Sequence, residues 1–298
     1  MEPVLSIHNL SKKYGRISAV DNLSLSIGKG TVFGLLGPNG SGKTTTLGII
    51  LDVINKTSGE YFWFGEKPTK EHRKKIGAIL ETPIFYPYLS ATDNLKIVAK
   101  IKGLSEENID HVLQQVNLLE RKNDKFKTYS LGMKQRLSIA SALLCNPTVM
   151  ILDEPTNGLD PQGIAEIRNL IKEIAKDGKT IILASHLLDE VQKVCSHFAV
   201  LKKGKMIYSG LVEDVSKGEE TVELIAEESK TEEILTNYEG IKNIRKEANL
   251  WILSLKDGFT SKTLNKHLFE NNIVVSHLVT QKKSLEKQFL EVLAASDQ

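Results

Sequence analysis

Cysteine is scarce in this chain, with only Cys145 and Cys195 among 298 residues. Both sit in apolar stretches that read as helix. That argues against a disulfide framework and predicts two reduced, buried thiols in a cytosolic protein. A surplus of one charge sign is also missing: 39 basic and 37 acidic residues leave a net charge of +2. Such a balance offers little attraction to nucleic acid or to an anionic membrane surface. No apolar run approaches the roughly 18 residues of a membrane-spanning helix. The opening MEPVLSIHNL has neither the basic start nor the long apolar core of a signal peptide. There is no internal repeat and no low-complexity tract. These absences predict a cytoplasmic protein whose role at a membrane, if it has one, runs through a partner.

What is present is ordinary globular composition, 41% hydrophobic and 26% charged, in a chain long enough for one large domain and a small one. Residues 1–36 read as strands, with Leu23, Leu25 and Ile27 alternating with polar positions. GTVFGLL is a buried-strand pattern, residues 43–51 a helix behind a glycine-rich turn, and GEYFWFG (59–65) a further strand. From 92 to 145 the period becomes helical, over 92–102, 106–119 and 134–144. Strand and helix then alternate: 148–152, 161–176, 180–184 and 187–195, followed by a hairpin over 198–210 that turns at Lys203-Gly204. Alternation of this kind predicts a mainly parallel sheet covered by helices, hence an α/β fold, with the helical block as an insertion. After the polar SKGEET the order strand (221–226), helix (230–237), strands (241–256), helix (260–271), strand (273–279) and helix (283–294) suits a small α+β domain, ferredoxin-like in order. The domain expectation is therefore 1–215, with a helical subdomain at about 82–145, and 216–298.

Two stretches carry chemistry. GPNGSGKTT, residues 37–45, fits G-x-x-x-x-G-K-[ST] between a predicted strand and a predicted helix. Gly37, Gly40 and Gly42 let the backbone through Pro38, Asn39, Ser41 and Thr45 turn its N–H groups toward phosphate. The helix that follows adds its positive end. Lys43 is expected to reach the β- and γ-phosphates of ATP, and the Thr44 hydroxyl to ligate Mg²⁺. In VMILDEPTNGLD (149–160) an apolar strand delivers two acids at its end. Asp153 is placed to hold Mg²⁺ through water, and Glu154 to act as general base on the attacking water.

YSLGMKQRLSIA (129–140) resembles the signature segment of the ATP-binding-cassette (ABC) family, whose usual form is L-S-G-G-Q. Ser130 and Gly132 are kept, while Leu131 and Met133-Lys134 depart from it, and Gln135 follows as a further candidate nucleotide contact. The resemblance covers residues 4 to about 210 and implies an ABC-type P-loop NTPase with a helical subdomain. It also assigns roles. His186 in ILASHLLDE resembles the switch histidine, Tyr14 in SKKYG the aromatic that stacks on adenine, and Asp160 the loop at the dimer interface. Two copies are expected to close head to tail as a homodimer over two ATP molecules, each held by one P-loop and the other subunit's Ser130–Gly132. Membrane-spanning permease subunits would be the further partners, with the chain peripheral on the inner face of the membrane. Neither nucleic-acid binding nor direct membrane insertion is expected.

In that family the strand Ile76–Leu80 ends on a glutamine near Mg²⁺ and the attacking water, and here the position is Glu81. A glutamine both donates and accepts hydrogen bonds, whereas an ionised glutamate only accepts. LETP-x-FYP-x-L together with YSLGMKQRL resembles the ATPase subunits of bacterial exporters that give protection against lantibiotics and bacitracin, which implies ATP hydrolysis coupled to peptide-antibiotic export. Phe85, Tyr86, Tyr88 and Leu89 then form a patch expected to be partly packed inward and partly open to the permease. The alternatives are an ATPase of another drug, lipid or uptake transporter, because direction belongs to the permease, and, more remotely, a non-transport ABC protein acting on nucleic acid.

Overall fold

The computed structural model describes residues 3–80, 84–216, 220–226, 230–256 and 258–282. The chain enters as a hairpin in which β1 (Pro3–Tyr14) and β2 (Ile17–Gly28) pair antiparallel across Gly15, at φ 58°. After β3 (Val32–Leu36) and α1 (Lys43–Ile50), β4 (Ser58–Trp63) pairs antiparallel with β1. The result is a separate three-stranded sheet of order β2-β1-β4. The sequence pattern predicts strands here but not a second sheet. The physical reason is the short turn, since a parallel return needs a crossover of a dozen or more residues.

α2 (Lys70–Lys74) leads into β5 (Ile76–Ile79), and α3 (Ala91–Lys102), α4 (Ile109–Gln115) and α5 (Leu131–Leu143) form the helical block. Only five residues long, α2 is too short for a period to reveal it. α4 is shorter than the expected 106–119, because Asn117 adopts φ 57° and ends the helix. α3 begins on a real cap, Ser90 accepting from the Asp93 N–H, and stops at Gly103 in the left-handed region. α5 rests on β5 so closely that a Cβ at Gly77 would lie 2.3 Å from the Ala142 carbonyl oxygen.

β6 (Val149–Asp153), α6 (Pro161–Lys176), β7 (Thr180–Ser185), α7 (Leu188–Val194), β8 (His197–Lys202), β9 (Lys205–Leu211) and α8 (Val212–Ser216) complete the alternation. The six-stranded sheet has the order β5-β6-β7-β3-β8-β9. Its strands run parallel except β9, which returns antiparallel to β8 through Lys203-Gly204. Every residue of β6 and β7 is buried, as a strand covered on both faces requires. α6 buries Ile167, Ile171 and Ile174 on one stripe. α1 differs, because it lies in the core common to both sheets. Leu47, Ile49 and Ile50 pack with Trp63, Phe33 and Ile182, and the Trp63 indole N–H donates to the Ile50 carbonyl at 2.9 Å.

The chain divides into two units, Met1–Val212 and Glu213–Gln298. The second contains β10 (Glu220–Ala226), α9 (Thr231–Asn237), β11 (Ile241–Glu247), β12 (Leu250–Leu255), α10 (Ser261–Glu270) and β13 (Val275–Lys282). Its antiparallel sheet has the order β11-β12-β10-β13, the split arrangement of ferredoxin-like folds. Leu235 of α9 and Leu264 and Leu268 of α10 share one core with Val222, Leu224, Trp251 and Leu253. The helix expected at 283–294 lies outside the described residues.

Both cysteines are free thiols, Cys195 buried and Cys145 only half-buried. Cys195 packs under β3, where a Cβ on Gly34 would come within 3.1 Å of its sulfur. Burial, and secondarily the nearby Glu190 charge, pushes the Cys195 thiol far above its ordinary range. A maleimide should therefore modify Cys145 in the native protein and reach Cys195 only on unfolding. Peptide mass spectrometry after timed labelling checks this, and early labelling of Cys195 would contradict it.

Candidate functional site

Parallel register builds the site. Leu36 of β3 pairs with Ser185 of β7, and Ala184 of β7 pairs with Asp153 of β6. The carboxyl ends of three adjacent strands thus finish in one row, the usual position of a ligand crevice in a sheet of this kind. β3 delivers the 37–45 loop there, β6 delivers Asp153-Glu154, and β7 delivers Ser185-His186.

The loop fits a phosphate. Gly40 and Gly42 adopt φ 77° and 104°, which only glycine does without strain. A Cβ on Gly37 would lie 2.3 Å from the Leu201 carbonyl and 2.6 Å from the Ser41 hydroxyl. The first turn of α1 has neither a side-chain cap nor an acid, so its N–H groups suit an anionic ligand. The Ser41 hydroxyl is buried, and among the described residues it has no hydrogen-bond partner. Thr44 and Thr45 are half-buried in the same turn, and Pro38, Asn39 and Gly40 are exposed.

Lys43, only 5% exposed, turns its ammonium onto the Gly37 carbonyl at 2.7 Å and the Pro38 carbonyl at 3.3 Å. It also lies 3.3 Å from Glu154 Oε1. The other Glu154 oxygen lies 2.8 Å from His186 Nδ1 and accepts the His186 backbone N–H at 3.4 Å. An ionised carboxylate only accepts, so it selects the tautomer with the proton on Nδ1. Glu154 itself has φ 48°. Such a conformation costs about 1–3 kcal/mol in a residue with a side chain, and the Glu154 N–H bond to the Ala184 carbonyl at 2.9 Å helps hold it. Glu154 thus ion-pairs with Lys43 and hydrogen-bonds His186, which joins the three in one cluster.

Asp153 is 2% exposed at the end of β6. A hydroxyl at Thr44 and a carboxylate at Asp153 are hard oxygen donors of the kind Mg²⁺ takes. Among the described residues no group of three or more His, Cys, Asp or Glu forms a metal cage. Glu81 lies outside the described residues, and β5 ends two positions before it, at Ile79.

A second group forms elsewhere. Ser130 caps α5 by accepting the Met133 N–H at 3.3 Å, and Asp160 caps α6 by accepting the Gly163 N–H at 2.8 Å. Residues 130–133 and 158–160 line one groove of about 400 Å³. The Arg136–Glu166 ion pair joins the two helices beneath it. Among the described residues no hydrogen bond or ion pair links this groove to the 37–45 loop. Gln135 is buried and does not line the groove. Tyr14 is 48% exposed, with Lys12 Nζ 4.7 Å from its ring centroid. In the aromatic stretch Phe85 packs inward, its ring 5.2 Å from that of Phe126, while Tyr86 and Tyr88 are exposed.

Sequence reasoning missed one support of the loop. Gly204, buried in the β8–β9 turn, donates its N–H to the Ser41 carbonyl at 3.0 Å and accepts from the Asp21 N–H at 2.8 Å. The Lys-Gly turn signal marked the hairpin, but nothing local says what the turn touches.

Residues 20–157 match the family model described as ABC transporter. The chain is 39% identical to an uncharacterized ABC transporter ATP-binding protein of Bacillus subtilis, YhcH, over 98% of this chain and 96% of that protein. It is 37% identical to the bacitracin transport ATP-binding protein BcrA of Bacillus licheniformis, over 98% of each. A solved dimeric, post-hydrolysis state of the ATP-binding cassette MJ0796 bound to ADP and phosphate aligns with a TM-score of 0.63 at 28% identity, over 70% of this chain and 98% of that one. With the glycine-rich loop, the strand-end acids and the histidine meeting at the carboxyl ends of neighbouring strands, this end-to-end similarity settles the family: the chain belongs to the ABC transporter ATP-binding proteins.

Proposed function

We propose that this protein hydrolyses ATP to power the export of peptide antibiotics of the bacitracin or lantibiotic type. In this reading it works as a homodimer docked on membrane-spanning permease subunits at the inner face of the membrane. The observation that carries the substrate class is the 37% identity with a bacitracin transport ATP-binding protein over 98% of both chains. The catalytic part rests on the Lys43–Glu154–His186 cluster beside an uncapped, glycine-lined helix start.

In this reading the loop N–H groups of 37–45 and the Lys43 ammonium bind the β- and γ-phosphates, and Tyr14 stacks on the adenine. Glu154 takes the proton of the attacking water, and His186 orients Glu154 through the 2.8 Å contact. Thr44 and Asp153, with Glu81, would hold Mg²⁺, and the ion would supply positive charge beside the phosphates. The groove at Ser130, Gly132 and Asp160 would close over the partner's nucleotide. Its location apart from the chain's own phosphate loop supports a shared site, and so does the dimeric state of the solved relative. Exposed Tyr86 and Tyr88 offer an aromatic surface to the permease. Among the described residues no helix is long and apolar enough to cross a membrane, so the permease would supply the path.

Deleting the gene in its host should raise sensitivity to bacitracin or to lantibiotics, and a plasmid copy carrying Glu154→Gln should fail to restore resistance. Unchanged sensitivity to both classes would overturn the substrate assignment.

A further inference from the structure

α7 begins with two adjacent acids that behave differently. Asp189 is exposed and ion-paired to Arg168 and Lys193. Glu190 is 3% exposed, and among the described residues no salt bridge reaches it. Both of its oxygens instead accept from hydroxyls. Thr156 donates to Oε1, and Ser185 donates to Oε2 at 2.8 Å. A buried carboxylate without a cation carries a desolvation cost of several kcal/mol. Two donated hydrogen bonds in a dry site offset part of that cost.

The two donors come from different parts of the site. Thr156 lies in the loop that starts at Glu154 and ends at the cap Asp160, and its carbonyl accepts the Leu159 N–H at 3.1 Å. Ser185 precedes His186. Its hydroxyl accepts the Leu187 N–H at 3.0 Å, and its carbonyl accepts the Gly37 N–H at 3.3 Å. One side chain therefore ties the loop of Glu154 to the strand end that carries His186 and touches the start of the phosphate loop.

We propose that Glu190 is a positioning residue that holds the Glu154–Asp160 loop in register with His186, so that the Glu154–His186 contact is kept through turnover. The inference rests on the proposed ATPase reading for its functional consequence, but not for its geometry. Glu190 touches neither ATP nor water in this scheme and acts through Thr156 and Ser185. Its carboxylate suits this place because each hydroxyl donates to a different oxygen, and an amide would put a donor where one of those acceptors stands.

The test uses the full-length chain and two readouts. Glu190→Gln keeps the volume but replaces one acceptor with an amide donor. It should lower kcat at least about tenfold while KM for ATP stays within about twofold. Thr156→Val should do the same, whereas Thr156→Ser, which restores the hydroxyl, should stay within about twofold of the parent. The double variant Glu190→Gln/Thr156→Val should be no slower than either single one. Unchanged kcat in Glu190→Gln, or penalties that multiply, would overturn the proposal.

The second readout is the imidazole NMR resonance of His186, identified by its loss in His186→Ala. It should move in Glu190→Gln while the resonances of His8 and His72 stay, and a stationary His186 signal overturns the proposal whatever the ATPase rate. Thermal unfolding of each variant separates mere loss of fold from loss of position. Failure of the ATPase reading shows separately, as turnover that Glu154→Gln does not remove.

Discussion

Glu154→Gln is expected to bind ATP with near-parental affinity and to lose turnover by a factor of about 10²–10⁴, the range that general-base catalysis supplies. The variant keeps the size and the hydrogen-bonding reach of the side chain. An amide oxygen can still face Lys43, 3.3 Å away in the parent. What is lost is basicity, together with the 2.8 Å pairing of an acceptor with His186 Nδ1. An amide nitrogen placed there would meet an N–H, so His186 would have to change tautomer or turn. Binding should survive because, in the proposed mode, the phosphate contacts would come from the 37–45 backbone and from Lys43, neither of which the substitution alters. The ATP-bound dimer, once closed, should then persist and be seen as a stable dimeric species in size-exclusion chromatography with ATP. Parental hydrolysis in this variant would remove Glu154 from the role of base.

Gly42→Ala should have the largest effect on the phosphate loop itself. At φ 104° an alanine is strained before any contact is counted. Its Cβ would also lie 2.3 Å from the Ala19 carbonyl oxygen of β2 and 3.5 Å from Gly204 Cα. Both neighbours are backbone, so no rotamer change relieves the overlap. Strain and displacement together should cost about 3 kcal/mol or more, a large share of the roughly 5–15 kcal/mol that holds a folded protein. Gly40→Ala is the control. Gly40 also has positive φ, but a Cβ there meets nothing within 4 Å, so its cost should stay near 1 kcal/mol. Unfolding midpoints and binding of a fluorescent ATP analogue should separate the two, with Gly42→Ala losing both stability and nucleotide binding. Equal behaviour of the two variants would show that the close approach to β2 does not shape the loop.

These outcomes rest on contacts of unequal visibility in the sequence. The hairpin turn at Lys203-Gly204, the helix over 161–176 and the βαββαβ order of the second unit were legible, because each depends on a short period and a turn residue. The helix expected over 106–119 spans only Ile109–Gln115, and its early end follows from Asn117 in the left-handed region, which leaves no periodic mark. The separate antiparallel sheet was not legible at all. Alternation shows that a segment is a strand, but its partner is chosen by connections and burial elsewhere, and β1 pairs across 47 or more positions with β4.

The site divides the same way. The spacing of Gly37, Gly40, Gly42, Lys43 and Thr44, and the acids behind an apolar strand, point to phosphate chemistry from the sequence, since a phosphate cradle needs a local run of turning backbone followed by a helix. The sequence by itself therefore determined the type of the longer elements, the glycine-rich loop ahead of a helix and the chemical nature of the groups at the strand ends. Tertiary structure alone decided that β7 lies between β3 and β6, which brings His186 to Glu154 and Glu154 to Lys43. It also set the Ser130–Asp160 groove apart from that cluster, and it buried Glu190 against two hydroxyls 34 and 5 positions away in the chain. Those facts depend on strand order and long-range register, which arise from the competition of all strands for burial and hydrogen bonds and leave no signature in any local stretch of residues.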